Sequence, residues 1–408
     1  MNQNIQHLYD IAQKPERLIV GLMSGTSLDG LDVALCRITN SGPNTQVVVE
    51  HFATVPYDDA LKVQIRAVFA KKQIDFEQLC LLNAHIGRLH GQLILDCLRT
   101  WSVDPQTVDA VASHGQTVYH APKSQHRRAN FPNATLQIGD GDHIAATTGI
   151  ITFSDFRQKH VAHGGEGAPL AVYGDYFMFS KKGENRILLN MGGIANFTYL
   201  PANSDASSVF TTDTGPGNTL LDAYARKLLN KPYDEDGKLA AQGQVSLALL
   251  TALKTNSFFD APFPKTTGPE VFNTAYVDEA QTRSQTKQLA GANLMATLVQ
   301  FSADTIVEAI RRIFPARSAN SAFVDQDDVF HIYMSGGGMH NPSLTSAIQA
   351  QLPTCRFCRT DELGINGDAK EAVLFGVLAN ESLAGGTTSF GNRQGVPTVS
   401  MGKVSFPD

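Results

Sequence analysis

From Leu18 to Ser24 the chain is almost continuously apolar, from Gly25 to Gly30 it turns to glycine, serine and threonine around Leu28 and Asp29, and from Asp32 to Ile38 apolar residues return. Short apolar runs bounded by glycine and small polar residues predict strands, so this segment reads as a hairpin with a glycine-punctuated turn. Thr45 to Val55 predicts a third strand. Asp58 to Ala70 and Asp75 to Trp101 read as helices. In the second, Leu79, Leu82, Ile86, Leu89 and Leu93 share one helical face, and Asp75 and Gln78 stand in capping-box spacing at its start.

The same order returns further on. Arg186 to Met191 predicts a strand, Gly192 and Gly193 a turn, Ile194 to Leu200 the returning strand and Val209 to Asp213 a third. A Thr-Gly-Pro-Gly-Asn loop then leads into a helix from Thr219 to Leu229. A long helical stretch is expected over about Ser284 to Phe314, a strand over Val329 to Met334, and a helix from near Pro342 after Gly336 to Gly338. Strand Thr354 to Cys358 and helix Asp368 to Asn380 close the regular part. Strands followed by helices, twice, with a glycine-turn hairpin in each half, imply an α/β architecture of two related lobes.

Composition narrows the picture. A chain of 408 residues exceeds one ordinary core, and domains of about 100 to 200 residues make two lobes the expectation. With 42% apolar and 18% charged residues, most of it should fold. A net charge of −6 argues against nucleic acid as the main partner, because such proteins carry a basic excess for the phosphates. Met1 to Arg17 is polar and does not read as a signal peptide, and no apolar run approaches the roughly 20 residues that span a bilayer. Cys36, Cys80, Cys97, Cys355 and Cys358 are scattered and odd in number, which suits a reducing compartment, most simply the cytoplasm. Cys355 and Cys358 read as ordinary thiols, with no second pair to complete a zinc site.

Four places carry candidate chemistry. The turn Gly25-Thr26-Ser27-Leu28-Asp29-Gly30 could cradle phosphate on backbone N–H groups, or be a hydrophilic turn and nothing more. Asp29 and Asp32 would repel a phosphate unless a divalent cation such as Mg²⁺ lay between. Asp213 ends its expected strand just before Gly215, Gly217 and Asn218 lead into a helix, the position where ligands gather in open α/β sheets. It could accept a proton from a bound hydroxyl or water, or simply order the loop. Gly336, Gly337 and Gly338 after an apolar strand admit close approach of a nucleoside or phosphate, yet no P-loop or dinucleotide fingerprint is present. Arg157 suits bidentate capture of a carboxylate or phosphate, although surface ion pairs explain many arginines. His160 and His163 lack a further metal ligand at a recognisable spacing, and His114 within Ser113 to Thr117 reads as a buried, hydrogen-bonded histidine at a strand end.

Together the motifs become specific. GLMSGTSLDGLD (Gly21 to Asp32), SHGQT (Ser113 to Thr117), SDFR (Ser154 to Arg157), GGEGAPL (Gly164 to Leu170), NMGGIANFTYL (Asn190 to Leu200), DTGPGN (Asp213 to Asn218), PKTTGPEVFN (Pro264 to Asn273), SGGG (Ser335 to Gly338) and GDAKEA (Gly367 to Ala372) occur in order along nearly the whole chain. The set resembles the anhydro-N-acetylmuramic acid kinases. That resemblance implies two ribonuclease-H-like lobes of the sugar kinase, heat-shock ATPase and actin type around a nucleotide cleft, the first over 1–155 joined by about 376–408 and the second over 156–375.

By the same resemblance Gly25, Thr26, Ser27, Leu28, Asp29, Gly30, Leu31 and Asp32 form the first phosphate element, with Asp29 toward Mg²⁺ directly or through water. Gly192 and Gly193 belong to the second, Gly215, Gly217 and Asn218 join the nucleotide site, and Gly336, Gly337 and Gly338 lie near the adenosine. Asp213 matches the catalytic aspartate, and Arg157, Gly165 and Glu166 fall in the sugar-binding motifs, with Arg157 toward the lactyl carboxylate of muramic acid. Glu166 stands where many relatives carry glutamine, and Ile365-Asn366-Gly367 replaces a more common proline-containing stretch. The implied reaction uses ATP, Mg²⁺ and water to convert 1,6-anhydro-N-acetylmuramic acid to the 6-phosphate, in peptidoglycan recycling in the cytoplasm, by an enzyme that is a homodimer at family level. Two alternatives stay open: a kinase of another amino sugar, and a nucleotide-switch binding module of the actin or heat-shock type.

Overall fold

A computed structural model describes residues 1–314, 329–386, 388–391 and 395–408. The chain divides into two compact units, one of residues 1–180, 205–208 and 363–408 and one of residues 181–204 and 209–362.

In the first unit β1 (Glu16–Ser24), β2 (Gly30–Thr39) and β3 (Gln46–Pro56) form an antiparallel meander. Beside β1 lie β4 (Ala110–Ala121) and then β6 (Thr152–Ser154), both parallel, with β5 (Ala134–Ile138) antiparallel to β4 and Lys403–Ser405 antiparallel to β6. From Leu18 to Met23 β1 is apolar because both its faces are covered. Leu18, Val20 and Leu22 pack with Leu82, Ile86 and Ile94 of the helix Phe76–Thr100, whose N-cap Asp75 accepts from Gln78 N. The opposite face meets the helix Lys370–Ala384, and a Cβ on Gly21 would collide with the backbone carbonyl of Ala372. Gly21→Ala is therefore expected to destabilise the chain by about 1–3 kcal/mol, the cost of overfilling a packed core, read as a lower midpoint in urea unfolding.

The stretch before β1 forms the helix Gln3–Gln13, capped by Asn2. Buried Arg17 fastens it by donating to Ile11 O at 3.0 Å, Ala12 O at 2.8 Å and Asn380 Oδ1 at 2.9 Å.

In the second unit β7 (Asn185–Met191), β8 (Ile194–Leu200) and β9 (Phe210–Pro216) repeat the meander, and β10 (Phe330–Ser335) and β11 (Arg356–Arg359) add in parallel beside β7. Leaving out β5 and Lys403–Ser405, the order β3-β2-β1-β4-β6 of the first sheet matches β9-β8-β7-β10-β11 of the second. Both units thus have the ribonuclease-H-like arrangement. Ile187, Leu189 and Met191 of β7 pack with Leu298, Phe301 and Ile306 of the helix Gly291–Arg311.

Several boundaries differ from the sequence reading. The long helical stretch expected over about Ser284 to Phe314 is helical only over Gly291–Arg311, and a helix the sequence reading did not expect, Thr274–Arg283, precedes it and ends where Gln285 takes a left-handed conformation (φ 58°). β9 continues three residues past Asp213, and Ser113 to Thr117 lies within β4 rather than at its end. Residues 156–180 and 363–375, expected in the second lobe, belong to the first unit: the rings of Phe156 and Phe375, both buried, pack tilted against each other with centroids 5.3 Å apart. The expected returning segment 376–408 lies in that unit too, although 387 and 392–394 of it are outside the described residues.

Candidate active-site elements

The β1–β2 turn exposes Thr26, Ser27 and Asp29, while Leu28 and Leu31 are buried in the core. Leu28 takes φ 57°, so its side chain turns inward and only its backbone remains for a ligand; the same holds for Leu31 within β2. Gly30 is required by a close approach, since a Cβ there would meet Val55 O on β3. Ser27 Oγ donates to Asp29 Oδ1 at 2.6 Å, which holds the Asp29 carboxyl below its ordinary range. Asp32 accepts from Thr54 Oγ1 at 2.6 Å, and burial, with the charges of Asp29 and Asp368, raises its pKa. Hard carboxylate oxygens suit Mg²⁺. Among the described residues no three His, Cys, Asp or Glu side chains gather as a metal-ligand set.

Arg157, on the helix Phe156–Ala162, is anchored from two sides. Its Nε donates to His114 Nε2 at 2.8 Å and its Nη1 to Gly167 O at 2.6 Å. A guanidinium only donates, so His114 Nε2 is the bare nitrogen and the ring proton sits on Nδ1, facing Gly115 O at 2.8 Å and Ser24 O at 3.3 Å. Burial, reinforced by Arg157, pushes His114 down to about 3, so the ring is neutral. Nε and one N–H of Nη1 are engaged inside the unit, and of the three remaining N–H donors the two on Nη2 make no hydrogen bond among the described residues.

Glu371, at the exposed start of the helix Lys370–Ala384, has its pKa raised by desolvation, an effect opposed by the charge of Arg157. Gly165 is packed so closely on the His160 ring that a Cβ would overlap it, and its carbonyl accepts from Asn133 Nδ2 at 3.0 Å. Glu166 is exposed; with Arg157 it acts electrostatically on His120, whose pKa is lowered first by burial. His160 Nδ1 accepts from Gly167 N at 3.0 Å, which makes it a support of this loop.

In the second unit three glycine segments meet. The N–H groups of Gly217 and Thr219 donate to Gly193 O at 2.8 and 3.0 Å, and that of Asn218 to Gly192 O at 2.8 Å. Asn218 Nδ2 donates to Met191 O at 3.0 Å. Gly336 takes φ 80° and lies so near Asn190 and Met191 that a Cβ would stand 2.6 Å from Asn190 Oδ1. Gly192, Gly193, Gly217, Asn218, Gly336 and Gly338 therefore form one cluster. The amides at the start of the helix Thr219–Leu229, which the sequence suggested for a ligand, are instead consumed by the carbonyls of the β7–β8 turn. Gly215 sits at φ 144°, backed by Phe259 and Thr305.

Asp213 lies beside an irregularity in the β8–β9 ladder. Asn196 pairs with Asp213 and Ala195 with Gly215, so Thr214 is an inserted residue, the bulge that commonly re-aims a neighbouring side chain. Asp213 N donates to Lys265 O at 2.9 Å, and Asp213 Oδ2 accepts from Thr267 N at 2.8 Å. Oδ1 makes no hydrogen bond among the described residues. Burial raises the carboxyl pKa against the lowering effect of the Thr267 amide. Lys265 is itself pinned: Nζ donates to Phe258 O at 2.8 Å and Phe259 O at 2.9 Å, and burial, helped by Arg312, pushes it down to about 8. The sequence reading singled out neither Thr267 nor Glu371, although the PKTTGPEVFN and GDAKEA motifs contain them; Thr267 acts through its backbone, which leaves no side-chain signal.

Two sheets that share a five-strand core order, each with a glycine-turned first hairpin, define a protein of two ribonuclease-H-like units. The family model for anhydro-N-acetylmuramic acid kinase matches residues 17–402. Relatives of that same name are 55% identical in Pseudoalteromonas atlantica, over 100% of both chains, and 52% identical in Pseudoalteromonas translucida, again over 100% of both. One in Caldanaerobacter subterraneus is 35% identical over 98% of this chain and 100% of its own. The chain belongs to the anhydro-N-acetylmuramic acid kinase family and is an enzyme. Among the described residues no helix is long and apolar enough to cross a membrane.

Proposed function

We propose that this enzyme converts 1,6-anhydro-N-acetylmuramic acid, ATP and water to N-acetylmuramic acid 6-phosphate and ADP, with Asp213 as the general base. The observation that carries this is the Asp213 carboxylate, held through Oδ2 by the Thr267 amide at 2.8 Å, with Oδ1 unengaged among the described residues and a pKa raised by burial. An anchored carboxylate with one bare oxygen is what a base needs. Asp213 takes a proton from water as that water attacks the anomeric carbon. The bond from that carbon to O6 breaks, and O6 attacks the γ-phosphorus of ATP as the bond to the bridging oxygen of ADP breaks. This parallels an inverting glycosidase, with the γ-phosphate in place of the acid.

Arg157 turns Nη2 to the lactyl carboxylate, and Gly165 and Glu166 line the sugar. The Gly25–Asp32 turn, the Gly192–Gly193 turn and Gly336–Gly338 serve the nucleotide. Mg²⁺, held through water by Asp29 and Asp32, would neutralise phosphate charge. The substrate is an amino sugar of peptidoglycan, so recycling of the cell wall in the cytoplasm is the fitting setting.

The test is turnover of the purified protein in ¹⁸O-water with ATP, Mg²⁺ and the anhydro sugar. One solvent oxygen in the sugar 6-phosphate is the expected result. A phosphorylated sugar that keeps its 1,6-bridge and carries no solvent oxygen would mean that Asp213 deprotonates a sugar hydroxyl, and no ATP consumption would remove the substrate assignment.

A further inference from the structure

The motif strand β4 places Gln116 directly beside Ser24 of β1, at the point where the chain enters the Gly25–Asp32 turn. Four side chains join there: Gln116, Ser24 and His90 are buried to 1% exposure or less, and Tyr57 to 4%. Gln116 Nε2 donates to Gly25 O at 3.0 Å and Thr117 O at 3.1 Å. Rotating the amide would set Oε1 against two carbonyl oxygens, so Oε1 must be the atom facing Ser24 Oγ, at 2.6 Å. A serine hydroxyl has one proton, and this contact claims it over Gly30 O at 3.3 Å.

Tyr57 OH, 2.8 Å from Ser24 Oγ, must then donate to it. His90 Nε2, 2.7 Å from the Tyr57 oxygen, must in turn carry the ring proton. Burial, which pushes His90 down to about 3, keeps the ring neutral, consistent with that single proton. Every proton in the chain points one way, from His90 through Tyr57, Ser24 and Gln116 to the carbonyl of Gly25. Because a trans peptide is planar, holding that carbonyl also fixes the direction of the Thr26 N–H.

We propose that Gln116 is a positioning residue for the first phosphate hairpin, setting the Gly25–Thr26 peptide plane through this one-way hydrogen-bond chain. The proposal rests on the reading of Gly25–Asp32 as a phosphate element. Gln116→Glu keeps the size but removes both N–H donors and faces two carbonyls with a charge.

The experiment is steady-state kinetics of the full chain carrying Gln116→Glu or Tyr57→Phe, with thermal unfolding and with hydrogen exchange of peptides spanning 20–35 in the presence and absence of a non-hydrolysable ATP analogue. Gln116→Glu should raise KM for ATP roughly tenfold, leave KM for the sugar within about twofold, and keep a cooperative melt. Tyr57→Phe, which leaves the two Gln116 donations intact, should shift KM for ATP in the same direction by a smaller factor. If Gln116→Glu does not fold, Tyr57→Phe carries the same comparison.

An unchanged KM for ATP, or equal rises in both KM values, overturns the positioning role. If the analogue leaves exchange in the wild-type hairpin unaltered, the phosphate reading itself fails; if it protects the hairpin while Gln116→Glu keeps a normal KM, only the role of Gln116 fails.

Discussion

Asp213→Asn is expected to lower kcat by on the order of 10²-fold or more while KM for ATP stays near that of the parent, because the substitution removes a base and little else. The side-chain oxygen of Asn can still accept from Thr267 N, so the anchoring bond survives. What changes is the other position, where an amide nitrogen replaces the bare Oδ1 and cannot take a proton. The pH profile gives an independent check. The base works only when deprotonated, so kcat/KM falls as pH drops through its pKa, and burial raises that pKa above the ordinary aspartate value of about 3.9. The parent should show an acid limb displaced upward, and the residual activity of Asp213→Asn should lack it. Turnover within a few-fold of the parent would remove Asp213 from the role of base.

Arg157→Lys is expected to raise KM for the sugar by on the order of 10- to 100-fold, with a much smaller change for ATP, measured by varying each substrate at saturation of the other. The charge is conserved, but the geometry is not. The guanidinium spends Nε on His114 and Nη1 on Gly167 O and still presents Nη2. A lysine ammonium cannot hold both anchors from its single nitrogen and also keep the place of Nη2. His114 Nε2 would lose its donor while buried, at a cost in stability that a modest drop in melting temperature should register. A sugar KM within about threefold of the parent would put the anion elsewhere.

Much of the architecture was legible in the chain because it is written in local periodicity. The apolar run Leu18 to Ser24, its glycine turn and the returning strand are β1 and β2 within two residues at each end, and the second cycle is equally close at β7 and β8. Helices capped by a side chain, such as Phe76–Thr100 behind Asp75, were visible for the same reason. The helix Thr274–Arg283 and the non-helical start of the stretch after it were not, since the left-handed Gln285 between them carries no intrinsic preference for that φ. Residues 156–180 were assigned to the wrong side for a related cause: the contact of Phe156 with Phe375 joins positions over two hundred residues apart, and no local pattern encodes it.

The sequence by itself determined the repeated strand order, the family, and the residue types at the points of chemistry, because hydrophobic period and motif spacing are properties of neighbouring residues. Only the tertiary structure decided how those groups are held and what remains to them. It turned Leu28 and Leu31 into core, assigned the amides of residues 217–219 to the β7–β8 turn, and set the direction of protons through His114 and Gln116. It also chose which oxygen of Asp213 is tied and which is bare. These outcomes depend on hydrogen bonds between strands distant in sequence. A buried donor or acceptor takes the partner that the fold brings within about 3 Å, whatever its own residue type would prefer.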